Sequence, residues 1–329
     1  MLLGEISMAN QNVEITYFTN VKSKRIEWLW YPYIPYGKIT ILQGDPGEGK
    51  TSFVLDLIAR MSKSDTLPLS NKVIEGRAIY QNSEDDISDT IKPRLTKYKA
   101  NCKNICFIDT QDNPISIDDD SLEEAITTVG AKLIVLDPLQ SYLGSKCDIN
   151  RAYNIRPKMT KLKEIAARTG CAIVLVGHLN KNSRGKSNYR GLGSIDISAA
   201  AARSILHIGK LQGDESVRVL SQIKNNLAPL GKSLSFSLGT RGIVWHGEID
   251  ISAQEMLEGT DKSTKITEAV EFIRTTLSEG QFKSADLISF AKEMDISKRT
   301  LMSAKAVLPI KSIKIGNQWY WELKDEETE

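Results

Sequence analysis

The sequence predicts an α/β fold: a parallel sheet flanked by helices, an antiparallel extension of that sheet, and a small helical module closed by a hairpin. Three observations predict it. From about residue 38 to 210, short β-branched runs alternate with helical patterns, as in a parallel sheet covered on both faces. Between 204 and 246, strand-like runs follow one another with short turns, as antiparallel neighbours do. From 265 onward, three helical segments precede two short strands.

In chain order, KITILQG, RAIYQNS, ICFIDT, KLIVLDP and AIVLVGH read as buried strands, because their apolar residues run on rather than alternate. Helical patterns separate them at Thr51 to Met61, Ile87 to Tyr98, Ser121 to Val129 and Ile149 to Arg168. SILHIGKL, VRVLSQIK, SLSFSL and GIVWHG supply the antiparallel run. DISAQEMLEGTDKST, residues 250–264, is polar with weak periodicity and reads as a linker. AVEFIRTTL, SADLISFAKEM and KRTLMSAKAVL are expected helices, and KSIKIGNQWYWEL two strands around the turn Gly316-Asn317. Helix, helix, helix, hairpin is the outline of a winged helix-turn-helix. The expected division is a core at 1–249 with an N-terminal extension at 1–24, the linker at 250–264, and the winged helix at 265–325.

Composition narrows the function classes. The 329 residues carry 43 basic and 41 acidic side chains, so attraction to a polyanion has to come from local patches. No apolar run approaches the roughly 18 residues that a membrane span needs. MLLGEISMAN lacks the flank and apolar length of a signal peptide. Cys102, Cys106, Cys147 and Cys171 show no paired metal spacing and read as reduced thiols, which makes a cytoplasmic location the expectation.

GDPGEGKT at 44–51 matches G-x-x-x-x-G-K-S/T directly after a strand and before a helix. Gly44, Gly47 and Gly49 let the backbone, with Asp45, Pro46 and Glu48, wrap close to phosphate. Lys50 reaches the β- and γ-phosphates, Thr51 supplies a hydroxyl for Mg²⁺, and Ser52 completes the nucleotide set. Asp137, ending the strand KLIVLDP, is the second expected metal ligand. No acid follows it directly, so the group that polarises the attacking water has to come from elsewhere. QNSEDD offers Glu84, with Asp85 as the competitor, at the end of a strand expected to neighbour that of the phosphate loop.

Together these pieces resemble the RecA-like P-loop core of hexameric replicative helicases, RecA/RadA recombinases and KaiC-type ATPases. NSED followed by a helix carrying Arg94 resembles most closely the RepA-type plasmid helicases and the RepA-like ATPases of phages and mobile elements, an AAA-family, hexameric-helicase-like group. The likeness covers roughly residues 25–247. It implies ATP and Mg²⁺ as ligands, Glu84 as catalytic base, His178 as a polar sensor of the γ-phosphate, and Arg94 against the adenine. It implies that Lys224, in LSQIKNNLAPLG, reaches a neighbouring subunit's site. Asn226 stands where that group usually has an arginine finger, and Arg203 is the substitute.

GHLNKNSRGKSNYRGLGSID follows the last parallel strand and carries Lys181, Arg184, Lys186 and Arg190 with no acid before Asp196. In the RecA-like group the loop here faces a central channel and grips DNA. The four cations suit phosphates, and Tyr189 suits stacking on a base. In the C-terminal module, Lys298, Arg299 and Lys305 lie on the expected recognition helix, and no acid appears from 298 to 321. The expectation is an ATP-hydrolysing, ring-forming, helicase-like DNA motor of mobile-element replication or maintenance, with a homo-hexamer favoured and no membrane partner. A recombinase or loader with the same core, and an ATP-dependent switch that binds a specific DNA site, are the alternatives.

Overall fold

The three-dimensional structure is a computed structural model; it describes residues 16–109, 115–144, 147, 151–178, 201–211, 214–251, 255, 261–278 and 280–323. Near the start lie two short strands that the sequence reading did not place, β1 (Trp28–Trp30) and β2 (Ile34–Pro35). The core follows as β3 (Ile39–Gly44), α1 (Lys50–Ser62), β4 (Arg77–Asn82), α2 (Lys92–Lys97), β5 (Ile105–Cys106), α3 (Ser121–Val129), β6 (Ala131–Asp137), α4 (Ala152–Thr169) and β7 (Ala172–His178). Then come β8 (Ser204–Leu211), β9 (Asp214–Asn225), β10 (Ser233–Gly239) and β11 (Gly242–Ile249).

Among the described residues, nine strands form one sheet in the order β11-β10-β9-β8-β3-β7-β6-β4-β5. Strands β8, β3, β7, β6, β4 and β5 pair in parallel, and β8 to β11 antiparallel. The unbroken apolar runs of the parallel strands have a simple cause: both faces are covered. Leu42, Tyr80, Val135, Val174 and Leu206 face α1 and α2, where Phe53, Leu57, Ile58 and Leu95 are buried. Ile41, Ile79, Ile134, Leu175 and Ile205 face α3 and α4, with Ile126, Leu162 and Ile165. Burial of each such side chain contributes about 1.5–3 kcal/mol.

The order corrects one expectation. Strand β4 does not neighbour β3; β7 and β6 lie between them, and Asn82 of β4 is in register with Asp137 of β6. ICFIDT is likewise not a buried strand: β5 is a two-residue edge strand followed by exposed Phe107.

The C-terminal module consists of α5 (Asp261–Leu277), β12 (Phe282–Lys283), α6 (Ser284–Glu293), α7 (Lys298–Val307), β13 (Ile310–Ile315) and β14 (Gln318–Leu323). Its sheet runs β12-β14-β13. It shares one apolar core with the large sheet: Ile266, Val270, Ile273 and Leu301 pack in the same cluster as Leu211, Val217, Val219 and Ile249. Arg274 donates to the buried Asp214 carboxylate at 2.9 Å, and Arg299 to Asp250 at 2.7 Å. Beside this seam a cleft of about 670 Å³ lies between Arg299, Met302 and Ser303 of α7 and Lys232, Glu248 and Asp250.

Candidate nucleotide-binding site

The phosphate loop joins the end of β3 to the start of α1, so its backbone N–H groups stand where the helix dipole also favours an anion. Glycine is required at Gly44, where a Cβ would lie 2.3 Å from the Ile208 carbonyl oxygen. It is also required at Gly49, whose φ of +93° is left-handed. Lys50 is buried, and its Nζ donates to the carbonyls of Gly44 (2.9 Å) and Asp45 (2.8 Å), so the ammonium is held across the loop. Burial pulls its pKa below the ordinary lysine value, against the opposing carboxylates of Glu48, Asp137, Asp45 and Glu84. Glu48 accepts the Asp45 N–H at 2.8 Å, and burial raises its pKa.

Thr51 donates its hydroxyl to Asp137 Oδ2 at 3.0 Å, which joins the first turn of α1 to the end of β6. Tyr80, from β4, donates to the same oxygen at 2.9 Å. Burial raises the Asp137 pKa, and the Tyr80 and Thr51 hydroxyls act against it. This all-oxygen donor set suits a hard cation. Among the described residues no cluster of three or more His, Cys, Asp and Glu side chains could hold a metal by itself. One carboxylate plus one hydroxyl is what Mg²⁺ needs when phosphates and water complete its shell. Glu84 is exposed just beyond β4, its backbone N–H held by Asn82 Oδ1 at 2.9 Å, and its charge is felt at both Lys50 and Asp137. Asp85, half-buried, is engaged by Arg94 at 3.4 Å.

A family model described as "AAA domain" matches residues 11–184, more than half of the chain. The chain belongs to this AAA domain family. Within it, the fold and phosphate loop are those of a RecA-like P-loop ATPase. Among curated relatives, the chain is similar to the DNA repair protein RadA of Listeria monocytogenes, 24% identical over 280 residues that cover 82% of this chain and 55% of RadA. It is similar to the human DNA repair protein RAD51 homolog 2, 24% identical over 264 residues covering 74% of this chain and 63% of that protein. The chain spans about half the length of the RadA protein it matches over the longest stretch. Among solved structures, a KaiC-like protein from Pyrococcus horikoshii OT3 aligns at a TM-score of 0.48 and 18% identity, over 64% of this chain and 90% of its own.

The AAA core brings together some of the residues nominated from sequence and separates others. Gly44, Asp45, Pro46, Gly47, Glu48, Gly49, Lys50, Thr51, Ser52, Glu84, Asp137 and Arg94 gather around the C-terminal ends of the parallel strands. Arg203 and Lys224 sit elsewhere. The Arg203 N–H bonds to Ile39 O at the opposite end of β3, about 16 Å from Gly44 by strand rise. Lys224 is near enough that Arg203, after burial, lowers its pKa. Neither can act on the chain's own phosphate loop. His178 ends β7, which lies between β6 and β3; its side chain, and Lys181, Arg184, Lys186, Tyr189 and Arg190, lie outside the described residues. On α7, Lys298 is exposed, Arg299 is turned to Asp250, and Lys305 lies 4.1 Å above the Trp321 ring and donates to Ser312 at 2.8 Å.

Two residues escaped the sequence reading. Tyr80 sat inside a run read only as a buried strand, and its tie to Asp137 required the β4–β6 register. His207 on β8 is in register with Gln43, the residue before the phosphate loop, and is 4% exposed. Burial pushes its pKa down to about 4, so the imidazole is neutral beside Lys50 and Asp45. Its Nδ1 and the Gln43 Oε1 are buried without a hydrogen-bond partner. A histidine flanked by apolar strand residues gives no sequence signal of that kind.

Proposed function

We propose that the protein is an ATP-hydrolysing, DNA-binding ATPase, working as a ring-forming, helicase-like motor in the replication or maintenance of plasmids, phages or other mobile elements in the cytoplasm. The carrying observation is the contact of Thr51 with Asp137 beside Lys50, at the sheet edge from which β7 leads into the basic segment 179–200. Lys50 leaves its two carbonyl partners to pair with the β- and γ-phosphates, and the loop amides hold the phosphate oxygens. Thr51 and Asp137 would hold Mg²⁺, which would supply charge neutralisation on the phosphates. Glu84 accepts the proton of the attacking water. Arg203 and Lys224, remote from their own loop, serve a neighbouring subunit's site, which makes a homo-oligomer, a hexamer in this reading, the working form. His178 couples the phosphate end to the 179–200 segment, whose Lys181, Arg184, Lys186, Tyr189 and Arg190 contact single-stranded DNA. The division into 1–249, linker 250–264 and winged helix 265–325 belongs to the same reading.

A second reading, an ATP-dependent switch that binds a specific duplex site through the winged helix, is favoured by Asn226, which removes the usual trans-acting arginine. A recombinase or loader shares the core and differs in pairing strands instead of unwinding them. The test is ATP turnover with and without single-stranded DNA in the wild type, Glu84→Gln and Lys186→Ala/Arg190→Ala. A motor predicts stimulation that vanishes in the loop variant while basal turnover survives, and turnover absent in Glu84→Gln. Turnover indifferent to DNA in the wild type would overturn the motor in favour of the switch.

A further inference from the structure

We infer that the α2–β5 edge of the sheet carries a second site for single-stranded nucleic acid, made of a lysine strip for phosphates and an apolar groove for one base, separate from residues 179–200.

The strip is visible first as a charge pattern. From Thr90 to Ile108 the chain has Lys92, Arg94, Lys97, Lys99 and Lys103 and no acidic residue, in a protein whose charges otherwise nearly balance. The fold gathers this stretch. Asn101 N–H bonds to Ser62 Oγ at 2.9 Å and Asn104 Nδ2 to Ser62 O at 2.8 Å, which pins residues 101–104 to the end of α1. Lys63 joins there, with its Nζ 3.5 Å from Tyr98 O. Lys97, Lys99 and Lys103 are exposed. Arg94 belongs to Asp85 and is not counted. Asp65, the acid beside Lys63, is already shared by Lys63 and Arg60 at 3.7 Å each.

Lys99 adds an observation that stability does not explain. It lies just past the end of α2 at φ +55°, with its N–H on Thr96 O and the Ala100 N–H on Leu95 O. A left-handed residue just past a helix end is usually glycine, because a Cβ is strained there. A lysine in that position costs backbone energy and places a cation on the surface.

The groove lies alongside. It holds about 200 Å³ between α2 and β5, lined by Ile87, Ile91, Leu95, Ile105 and Phe107, with Lys92 on its rim. Phe107 is 49% exposed. Cations spaced along an edge with an aromatic face among them are what a flexible phosphodiester strand recognises: charge for the backbone, a ring for any base. DNA and RNA share that chemistry.

The test uses the full chain without nucleotide, titrated across a salt series against labelled oligo-dT and oligo-rU of about 20 nucleotides. Each single-strand phosphate contact contributes about 0.7 to the log–log salt slope, so Lys97→Ala/Lys99→Gly/Lys103→Ala lowers the slope by about 2 and weakens binding at 0.1 M salt roughly 100-fold. Its melting temperature should not fall through Lys99→Gly. Phe107→Ala weakens binding with the slope intact. Equal losses on both oligomers identify the shared backbone and ring chemistry; a loss on one alone identifies that nucleic acid as the ligand. Affinity and slope like wild type in the triple variant, or no binding by the wild type, overturn the inference. So does a Phe107→Ala protein that changes oligomeric state while binding oligonucleotide normally, since the groove then belongs to a second copy. Wild-type hydrolysis indifferent to DNA, with the strip still binding, would sink the motor reading and leave this one standing.

Discussion

Tyr80→Phe removes a single hydroxyl and asks whether Asp137 is held ready for a cation. Tyr80 and Thr51 both donate to Asp137 Oδ2, at 2.9 and 3.0 Å. Tyr80 is 2% exposed and Asp137 6%, so water does not replace the lost donor readily. The ring keeps its place among Leu133, Val135 and Leu95 in the core beneath α1 and α2, so little packing is lost. A hydrogen bond to a charged group contributes about 1.5–3 kcal/mol, and loss of an outer partner of a metal ligand typically weakens metal affinity about 10–100-fold. The direction with pH follows. Burial already raises the Asp137 pKa, and loss of the Tyr80 donor raises it further, so protons compete harder with the cation and the defect widens as pH falls. The assay is the Mg²⁺ dependence of fluorescent ATP-analogue binding at two pH values. Half-saturating Mg²⁺ should rise about tenfold or more, and rise further at the lower pH. Wild-type Mg²⁺ dependence at both pH values would refute the idea that Tyr80 positions Asp137.

Other outcomes follow from single contacts. Gly44→Ala should abolish nucleotide binding in a folded protein, checked by circular dichroism beside a binding titration, because the new Cβ meets Ile208 O at 2.3 Å. His207, with its folded pKa depressed to about 4, contributes stability that is present above the unfolded value of about 6.5 and lost as pH falls through that window, about 3 kcal/mol in all. His207→Gln should flatten the melting temperature between those pH values. Arg274→Ala leaves the buried Asp214 carboxylate without its guanidinium; with Arg274 itself 55% exposed, the cost is about 1–2 kcal/mol, read as faster proteolysis of the C-terminal module.

Much of this molecule is legible from local chemistry. The phosphate loop announces itself through glycine spacing and its strand–helix flanks, and AIVLVGH coincides with β7 residue for residue. Strand order is not local: nothing in RAIYQNS says that it pairs with KLIVLDP and that two strands separate it from KITILQG. Tyr80 was therefore unreadable as a partner of Asp137, although Asp137 itself was visible. The same limit applies on α7. The basic residues of KRTLMSAKAVL are plain, but the turn of Arg299 toward Asp250 depends on how the module docks. WLWYPYIP, in which Trp28 packs on Tyr31 and Trp30 on Tyr33, lacks the alternating or continuous pattern of a strand and forms two short paired ones nonetheless.

The shared core of α5 and the large sheet bears on how this architecture can be inherited. A gene fragment ending near residue 250 would leave Leu211, Val217, Val219 and Ile249 facing water, and one beginning there would strip α5 of the surface on which Ile266, Val270 and Ile273 rest. Neither half is a cassette that recombination can move intact. An exchange of this C-terminal module between lineages has to bring compensating changes on β9 and β11 with it, so the two parts should diversify together.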